Sequence, residues 1–272
     1  MTRSAATDDT IFPGTDPLDL MRRAGAFYEC PRGADGQRRG PLVGYAGRDR
    51  DGRQFVGDVY VNFARAESRP ALLQVFSRRM REILRARGLD GAVSACAGFI
   101  GAPEGGKALA YQLALDAGKS YIYPEKRITA TASATSREVS DMVFGRHEPE
   151  PGRSWFIVED VCNNFSTTSK LVALIEDHGA SVAGILCFLN RSTAVDDRYE
   201  PRPGVVLPVV AVVRKPFGQY AQDDVAVAGD VARLGVVWSP KKDWPRLAAA
   251  MEREPALQRS IENENPCECE QA

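Results

Sequence analysis

The sequence contains no apolar run of the length that a membrane-spanning helix needs, which is ~20 residues. It also lacks an excess of charge of either sign, because 35 Lys and Arg residues oppose 36 Asp and Glu residues. A chain with this balance is not expected to bind nucleic acid or a membrane surface through its overall charge. Residues 1–9 carry no apolar segment behind Arg3, so no secretory signal is predicted. These absences predict a cytoplasmic globular protein.

Closely spaced cysteines are almost absent as well. Six cysteines are scattered along the chain, and the single close pair, Cys267 and Cys269, stands in a Glu-rich tail with no His nearby. A metal site needs a fuller set of ligands at short spacings, so the pair is interpreted as part of an acidic tail. Cys96 and Cys187 lie in apolar runs and are predicted to be buried thiols. With 272 residues, the chain can bury a core without disulfides or metals, as one large domain or two small ones.

The N-terminal part of the chain predicts short elements. Residues 1–16 are polar, with Gly and Pro, and predict an arm without regular structure. The elements predicted after the arm are a helix over 17–29, a β-hairpin with strands 42–45 and 56–63 around the turn 49–52, and a helix over 70–87 that stops at Gly88.

Downstream of Gly88, short apolar runs alternate with helical patterns. The predicted elements are a strand over Ala92–Ala97, a Gly-rich turn over Gly98–Gly106, a helix over 107–117, a strand over 120–123, a polar stretch over 124–152, a strand over 154–158, a helix over 167–178, strands over 182–189 and 205–213, and a helix over 243–253. Strands that alternate with helices are typical of a parallel sheet. The sequence therefore predicts an α/β protein with a mostly parallel central sheet flanked by helices.

The order of these elements also suggests a division of the chain. We expect an N-terminal part with the arm, the hairpin and the helix over 1–88, the α/β core over 89–213, and a C-terminal extension with an acidic tail over 214–272. The polar stretch 124–152 is long for a connection inside a compact domain, and such stretches are usually functional or mobile.

A pair of acids at the end of the third predicted core strand is the pattern most suited to chemistry. Glu159 and Asp160 follow the apolar run Trp155–Val158, and a short polar loop leads from them into a helix. In open α/β sheets, ligands bind outside the carboxyl ends of strands, and the first turn of a helix favours phosphate. Adjacent acids can accept hydrogen bonds from vicinal ribose hydroxyls. The segment fits a sugar phosphate, and it also fits an ordinary turn followed by a helix cap.

The order of motifs resembles that of the type I phosphoribosyltransferases, and among them the orotate phosphoribosyltransferases. That family has four apolar residues, two acids and a Thr-, Gly- and Ser-rich loop around the 5′-phosphate of phosphoribosyl pyrophosphate (PRPP). Here the signature is Trp155–Val158, then Glu159–Asp160, then Asn163–Thr167. Gly101–Gly106 stands where the family has its diphosphate loop, and the resemblance covers roughly residues 50–192.

The resemblance implies a Mg²⁺-dependent glycosyltransferase that transfers ribose 5-phosphate from PRPP to a base, orotate or a related heterocycle, and releases pyrophosphate. It implies that Glu159 and Asp160 bind the ribose hydroxyls and the metal, and that Lys126 and Arg127 bind the diphosphate. The implied PRPP-binding residues are Ala102, Pro103, Glu104, Gly105, Gly106, Lys107, Val161, Cys162, Asn163, Asn164, Phe165, Ser166 and Thr167. Backbone amides of 102–106, apart from Pro103, would receive the diphosphate.

The resemblance extends to the acceptor and to the partners. It implies that Arg191 binds an anionic group of the base and that Tyr60, in the strands that form the family's hood, lines the base pocket. The implied partners are PRPP and a small anionic base, with no nucleic acid and no membrane. A homodimer is also implied.

Departures from the family pattern keep two other functions open. Phe165 stands where the family has Gly, which predicts a ring that points outward or a remodelled phosphate site. Asn190 replaces a usual Asp, and no Lys stands within 128–145. A relative that binds PRPP or a nucleotide as a regulator, without turnover, fits these departures. The C-terminal segment with Trp238 and Trp244 leaves open a transferase with a non-nucleobase acceptor.

Overall fold

The computed structural model describes residues 15–130 and 139–252. The helices are α1 Pro17–Arg23, α2 Phe63–Glu67, α3 Pro70–Ala86, α4 Asp90–Ala95, α5 Gly106–Ala117, α6 Ser166–Asp177, α7 Ala228–Leu234 and α8 over residues 244–252. The strands are β1 Phe27–Glu29, β2 Leu42–Arg48, β3 Gln54–Gly57, β4 Val59–Val61, β5 Gly98–Gly101, β6 Ser120–Ile122, β7 Glu125–Ala130, β8 Val139–Val143, β9 Ser154–Cys162, β10 Ser181–Asn190, β11 Arg198–Arg202, β12 Val205–Arg214 and β13 Val236–Val237.

Three predictions fall wholly or partly outside the described residues. They are the arm over 1–14, the middle of the polar stretch over 131–138, and the acidic tail with Cys267 and Cys269. Among the helices that the structure describes, none is long and apolar enough to cross a lipid bilayer.

The described chain divides into two compact units, and the division differs from the expected one at residues 88 and 213. The first unit comprises residues 15–20 and Phe63–Pro216, and the second comprises Met21–Asn62 and residues 217–252. The helices α2 and α3 belong to the first unit because their aromatic side chains pack on its sheet. The predicted C-terminal extension belongs to the second unit, with the hairpin.

A six-stranded sheet forms the centre of the first unit, in the order β11-β12-β10-β9-β5-β6. All neighbours are parallel except the edge strand β11, which runs antiparallel to β12. Counted along the chain, the parallel strands have the doubly wound order 2-1-3-4-5, which reverses between β5 and β9. This topology confirms the predicted α/β class and the mostly parallel central sheet flanked by helices.

Each face of the sheet has its own apolar core. On one face Phe99 stacks with Phe156 at 6.0 Å between ring centroids, and Phe188 packs at 4.4 Å from Phe76 of α3. The opposite face is packed by the β9 and α6 side chains Trp155, Ile157, Leu171, Val172 and Ile175. Because successive side chains of a strand point to opposite faces, the apolar run that begins β9 supplies both cores.

The predicted strand over Ala92–Ala97 is wrong. Asp90–Ala95 forms the helix α4, and the strand β5 begins only at Gly98. A Cβ on Gly98 would lie 2.0 Å from the carbonyl oxygen of Ser120, so glycine permits close strand pairing there. The sequence pattern treats glycine as a turn marker, whereas here it serves a strand.

Other predicted boundaries also differ from the structure. The predicted helix over 17–29 ends early, because Gly25 adopts a φ of 62° and the chain continues as β1. The described parts of the predicted polar stretch 124–152 contain the antiparallel hairpin β7–β8. Strand β9 does not stop before the acids but runs through Glu159 and Asp160. The helices α3, α5 and α6 and the strands β6, β10 and β12 confirm their predictions within a few residues.

The second unit contains the predicted hairpin and two short additional pairings. Strand β2 pairs antiparallel with β3 and parallel with β13, and β1 pairs antiparallel with β4. Tyr28 is fully buried and donates a hydrogen bond to the carbonyl oxygen of Pro41 at 2.6 Å. Arg38 bridges Asp58 and Asp230, so an ion-pair network links the hairpin region to α7.

Phe165, at the start of α6, has a backbone conformation that is unusual for a bulky residue. Its φ is 57°, in the left-handed region, where an L-residue with a side chain is strained by roughly 1–2 kcal/mol. The ring is 3% exposed and stacks on Tyr199 at 4.7 Å between centroids. The expected outward ring is therefore wrong: the ring points into the core, and its burial offsets the backbone strain.

Two substitutions at this position test that balance. Phe165→Ala removes the ring and keeps the strained backbone, so we expect a loss of about 3–5 kcal/mol in the free energy of unfolding. Phe165→Gly also removes the ring but relieves the backbone, so its loss should be smaller by about 1 kcal/mol. Chemical denaturation measures both variants. An equal or larger loss for Phe165→Gly would contradict the left-handed conformation.

Candidate functional site

The candidate site lies where the strand order reverses, at the carboxyl ends of β5 and β9. Sheets of this topology bind ligands in the crevice at such a point. The turn over residues 102–105 leads from β5 into α5, and the loop over 163–165 leads from β9 into α6. The two segments predicted to bind PRPP therefore leave adjacent parallel strands at the same edge.

The Asp160 side chain lies directly against the turn. A Cβ on Gly105 would fall 2.1 Å from Oδ2 of Asp160, so only glycine allows the carboxyl group this position. Oδ1 of Asp160 accepts a hydrogen bond from the Val161 N–H at 2.8 Å. A Cβ on Gly106 would lie 2.0 Å from the carbonyl oxygen of Val158. The two glycines are thus needed because the turn approaches β9 so closely.

Glu159 occupies the opposite face of β9 and has a different environment. Glu159 is only 7% exposed. Burial and, to a smaller extent, the nearby charge of Asp160 raise the pKa of Glu159 to about 8, although the Lys126 ammonium and a backbone hydrogen bond from Asp160 act in the opposite direction. At neutral pH the Glu159 side chain is mostly protonated, so it can donate a hydrogen bond as well as accept one.

The expected magnesium site on Glu159 and Asp160 stays a prediction. Magnesium prefers several oxygen ligands in an octahedron, and alternation along β9 turns the two carboxyl groups to opposite faces of the strand. Within residues 15–130 and 139–252, no group of three or more His, Cys, Asp or Glu side chains is placed to hold a metal.

The turn after β5 uses two of its amides internally. The Ala102 N–H donates to the carbonyl oxygen of Val158 at 2.9 Å, and the Gly106 N–H donates to that of Ala102 at 3.0 Å. Pro103 is buried, and the peptide bond between Pro103 and Glu104 is cis. The expectation that residues 102–106, apart from Pro103, offer amides is therefore too broad, and the amides of Glu104 and Gly105 are the candidates for a ligand.

Lys107, in the first turn of α5, already has partners. Its Nζ donates to Glu104 Oε2 at 2.7 Å and lies 4.7 Å from the ring centroid of Tyr123. Its side chain is 25% exposed, whereas that of Glu104 is 68% exposed. A ligand that reaches this turn meets a lysine that is held by an acid of the same turn.

The loop after β9 presents only some of its predicted residues to the surface. Asn164 and Ser166 are exposed, and Asn164 Oδ1 accepts hydrogen bonds from the Ser166 N–H at 3.2 Å and the Ser166 Oγ–H at 3.0 Å. Val161, Asn163 and Thr167 are partly buried. The Ser166 N–H and hydroxyl are therefore engaged within the loop, and a ligand at the start of α6 has to compete with Asn164 for them.

Cys162 is not placed for a ligand. Its side chain is buried and hydrogen bonds with Cys187, and this contact together with burial raises the pKa of the Cys162 thiol. Its carbonyl oxygen accepts the Arg191 N–H at 2.9 Å. Both Cys96 and Cys187 are buried free thiols, as predicted.

A cavity of about 490 Å³ lies between the β7–β8 hairpin and α6. Its lining residues are Lys126, Asp141, Met142, Ser166, Thr167, Lys170, Ala173, Leu174 and Asp177. Three of them, Lys126, Ser166 and Thr167, are predicted site residues. Arg127 is absent from the lining.

Lys170 is a site residue that the sequence reasoning missed. It is exposed, lines the cavity and lies one helical turn after Ser166. Residues four apart share a helix face, so the spacing from Ser166 was a usable signal. The cavity thus combines two lysines, two hydroxyl groups and the two acids Asp141 and Asp177.

The predicted base-binding residues fall in different units. Arg191 follows β10 in the first unit and is 6% exposed. Asn190, just before it, is fully buried, and its Oδ1 accepts the Ser192 N–H at 3.0 Å, so Asn190 shapes the turn after the strand. Tyr60 belongs to the second unit, where its ring packs 6.5 Å from that of Trp244. Their shared role at a base stays a prediction.

Comparisons with known proteins give structural likeness only. No protein-family model matches the chain, and no curated protein matches it. The chain is similar to orotate phosphoribosyltransferase from Aeropyrum pernix, with 16% identity and a TM-score of 0.47 over 80% of this chain and 97% of that chain. It is also similar to UMP synthase from Leishmania donovani, with 14% identity and a TM-score of 0.44 over 78% of this chain and 39% of that chain. A third similar structure is adenine phosphoribosyltransferase from Thermoanaerobacter pseudethanolicus, with 16% identity and a TM-score of 0.44 over 58% of this chain and 89% of that chain. Likeness at this level assigns neither an activity nor a substrate.

The protonation of Glu159 makes stability depend on pH in a defined window. The folded protein keeps a proton that the unfolded chain releases at the ordinary glutamate pKa of 4.5, and it loses that proton only near pH 8. The free energy of unfolding should therefore fall by a few kcal/mol as pH rises from about 4.5 to about 8. Below this window both states are protonated, and above it both are ionised.

Denaturation curves across this pH range test the assignment. Glu159→Gln mimics the neutral acid and should remove this fall in stability. Glu148→Gln alters an exposed carboxyl group and is the matched control, which should keep the wild-type profile. A Glu159→Gln variant with the same pH slope as the wild type would show that Glu159 is ionised in the folded protein.

Proposed function

We propose that the protein is a phosphoribosyltransferase that binds PRPP at the β5–β9 edge and transfers its ribose 5-phosphate to a nitrogenous base. The observation that carries this proposal is the contact of the Asp160 carboxyl group with the turn at Gly105. Asp160 lies near the end of β9, and the loop after β9 leads directly to the start of α6. A carboxyl group, a tight turn and a helix start thus meet at the point where a doubly wound sheet binds its ligands. A sugar with a phosphate at each end requires this combination of groups.

The 5′-phosphate is assigned to the start of α6. Backbone amides and the helix dipole favour an anion there, and the hydroxyls of Ser166 and Thr167 add donors. Lys170 and Lys126 line the same cavity, as do the acids Asp141 and Asp177, so positive charge at the phosphate depends on Lys170, which lies one turn into the helix. The ring of Phe165 packs in the core and leaves the loop surface to these groups.

The two acids take different roles toward the ribose. Asp160, as a carboxylate, accepts hydrogen bonds from ribose hydroxyls and stabilises positive charge at C1 of the sugar. Glu159, mostly neutral at pH 7 and on the opposite face of β9, can donate a hydrogen bond as well as accept one.

The reaction breaks the bond between C1 and the diphosphate oxygen, and the electron pair leaves with pyrophosphate. A ring nitrogen of the base forms the new bond to C1 and loses its proton to solvent. The amides of Glu104 and Gly105 are the donors proposed for the leaving diphosphate. Mg²⁺ bound at this edge would be held by the Asp160 carboxylate and would supply positive charge toward the leaving diphosphate.

The base is proposed to be small and anionic, such as orotate, because Arg191 offers a planar guanidinium that suits a carboxylate. Arg191 is buried after the end of β10, and its backbone N–H donates a hydrogen bond to the carbonyl oxygen of Cys162. This bond holds the Arg191 backbone beside the loop after β9. A homodimer and a cytoplasmic location stay predictions.

A PRPP-binding protein without transferase activity is the second candidate. Phe165 in place of the family's Gly and the absence of a Lys within 128–145 favour it. A transferase with a non-nucleobase acceptor is distinguished by the same acceptor screen as the main proposal.

Pyrophosphate release from PRPP, screened over pyrimidine, purine and pyridine bases, tests the proposal. Asp160→Asn should lower the rate with the best base by about 100-fold or more, because a charge aimed at the transition state is lost. Asp90→Asn, an exposed substitution in α4, is the control and should leave the rate unchanged.

The outcomes separate the candidates. PRPP binding by calorimetry without pyrophosphate release for any base would favour the non-catalytic relative. Turnover that survives Asp160→Asn would refute the assigned site.

A further inference from the structure

The turn after β5 contains its own anion. Glu104 Oε2 lies 2.7 Å from Nζ of Lys107, and the same ammonium lies over the ring of Tyr123 at 4.7 Å. The Asp160 carboxyl group is packed against Gly105 from the other side. Two acids and one lysine therefore surround a short stretch of backbone that is proposed to receive a diphosphate.

This charge arrangement opposes the entry of an anion. Glu104 neutralises Lys107, and Asp160 adds a further negative charge, so the turn offers a ligand no net positive charge. An incoming diphosphate can accept a hydrogen bond from the Lys107 ammonium only if that group turns from the Glu104 carboxylate toward the ligand. Exposed ion pairs are weak because water solvates both partners, so the exposed Glu104 can give up its contact easily.

Tyr123 provides the fixed point for such an exchange. A lysine ammonium has three N–H donors, so Lys107 can keep its place over the ring while one donor changes partner. The cation–π contact limits where the ammonium moves. The lysine therefore stays at the turn when the ion pair opens.

We propose that Glu104 is a positioning residue that holds Lys107 away from the ligand and weakens the binding of pyrophosphate at this turn. The inference rests on the proposed function, and it adds that the Glu104–Lys107 pair must open when the diphosphate binds. Glu104 thereby limits the affinity for the product that has to leave.

Calorimetric titration of the full chain with pyrophosphate, at a fixed magnesium concentration, tests the inference. Glu104→Gln should lower the Kd about two- to fivefold, because it frees Lys107 from an exposed ion pair. Lys107→Met should raise the Kd about tenfold. In the Lys107→Met background, Glu104→Gln should change the Kd little, since its effect acts through the lysine.

A salt series and a matched control separate this role from a structural one. The ratio of wild-type to Glu104→Gln Kd should approach one between about 0.1 and 1 M salt, where the Debye length falls from about 10 to about 3 Å. Glu150→Gln breaks a similar exposed pair, with Arg153 three residues on, and should leave the Kd unchanged.

The results have distinct meanings. A Kd for pyrophosphate that is unchanged or higher in Glu104→Gln would overturn the inference. If the wild type still binds pyrophosphate in that case, the proposed function stands. An equal gain with and without Lys107 would show general repulsion by Glu104 and would overturn the exchange of partners. Failure of the wild type to bind either pyrophosphate or PRPP would overturn the proposed function and the inference with it.

Discussion

The close approach of the β5–α5 turn to strand β9 is the constraint on which the site depends. Gly105 and Gly106 have no room for a Cβ, because the Asp160 carboxyl group and the Val158 carbonyl oxygen occupy those positions. The reversed strand order makes β5 and β9 neighbours, so the segments that follow them meet at one edge. With larger residues in the turn, Asp160 would be displaced and the two segments proposed to bind phosphate would separate.

Strand β9 gives its two adjacent acids different chemistry because it continues past them as a strand. Alternation sends Asp160 toward the turn and Glu159 toward the buried face. Burial then keeps Glu159 mostly protonated at neutral pH, while Asp160 contacts the turn. A helix or an irregular loop at this point would expose both groups to similar surroundings. The regular backbone of β9 therefore separates an acceptor from a donor within two residues.

The sequence was sufficient for the alternation of strands and helices and for the place of Glu159 and Asp160, because these follow from local periodicity. Features that depend on tertiary approach were not predictable in the same way. Gly98 looks like a turn residue until Ser120 is known to lie beside it. The inward ring of Phe165 depends on Tyr199, which is distant in sequence, and the neutral state of Glu159 depends on burial. Lys170 is different, since helical spacing from Ser166 was enough to find it.

Amide chemical shifts during a titration with PRPP test the central claim most directly, because they report where the ligand binds before any chemistry occurs. The account predicts that the amide signals of Gly105 and Ser166 shift together and saturate at one PRPP concentration, since one molecule spans the turn and the start of α6. Exposed lysines elsewhere, such as Lys241 and Lys242, should show no saturable change. Saturation of one segment without the other, or shifts confined to surface lysines, would contradict a single sugar phosphate held between β5 and β9.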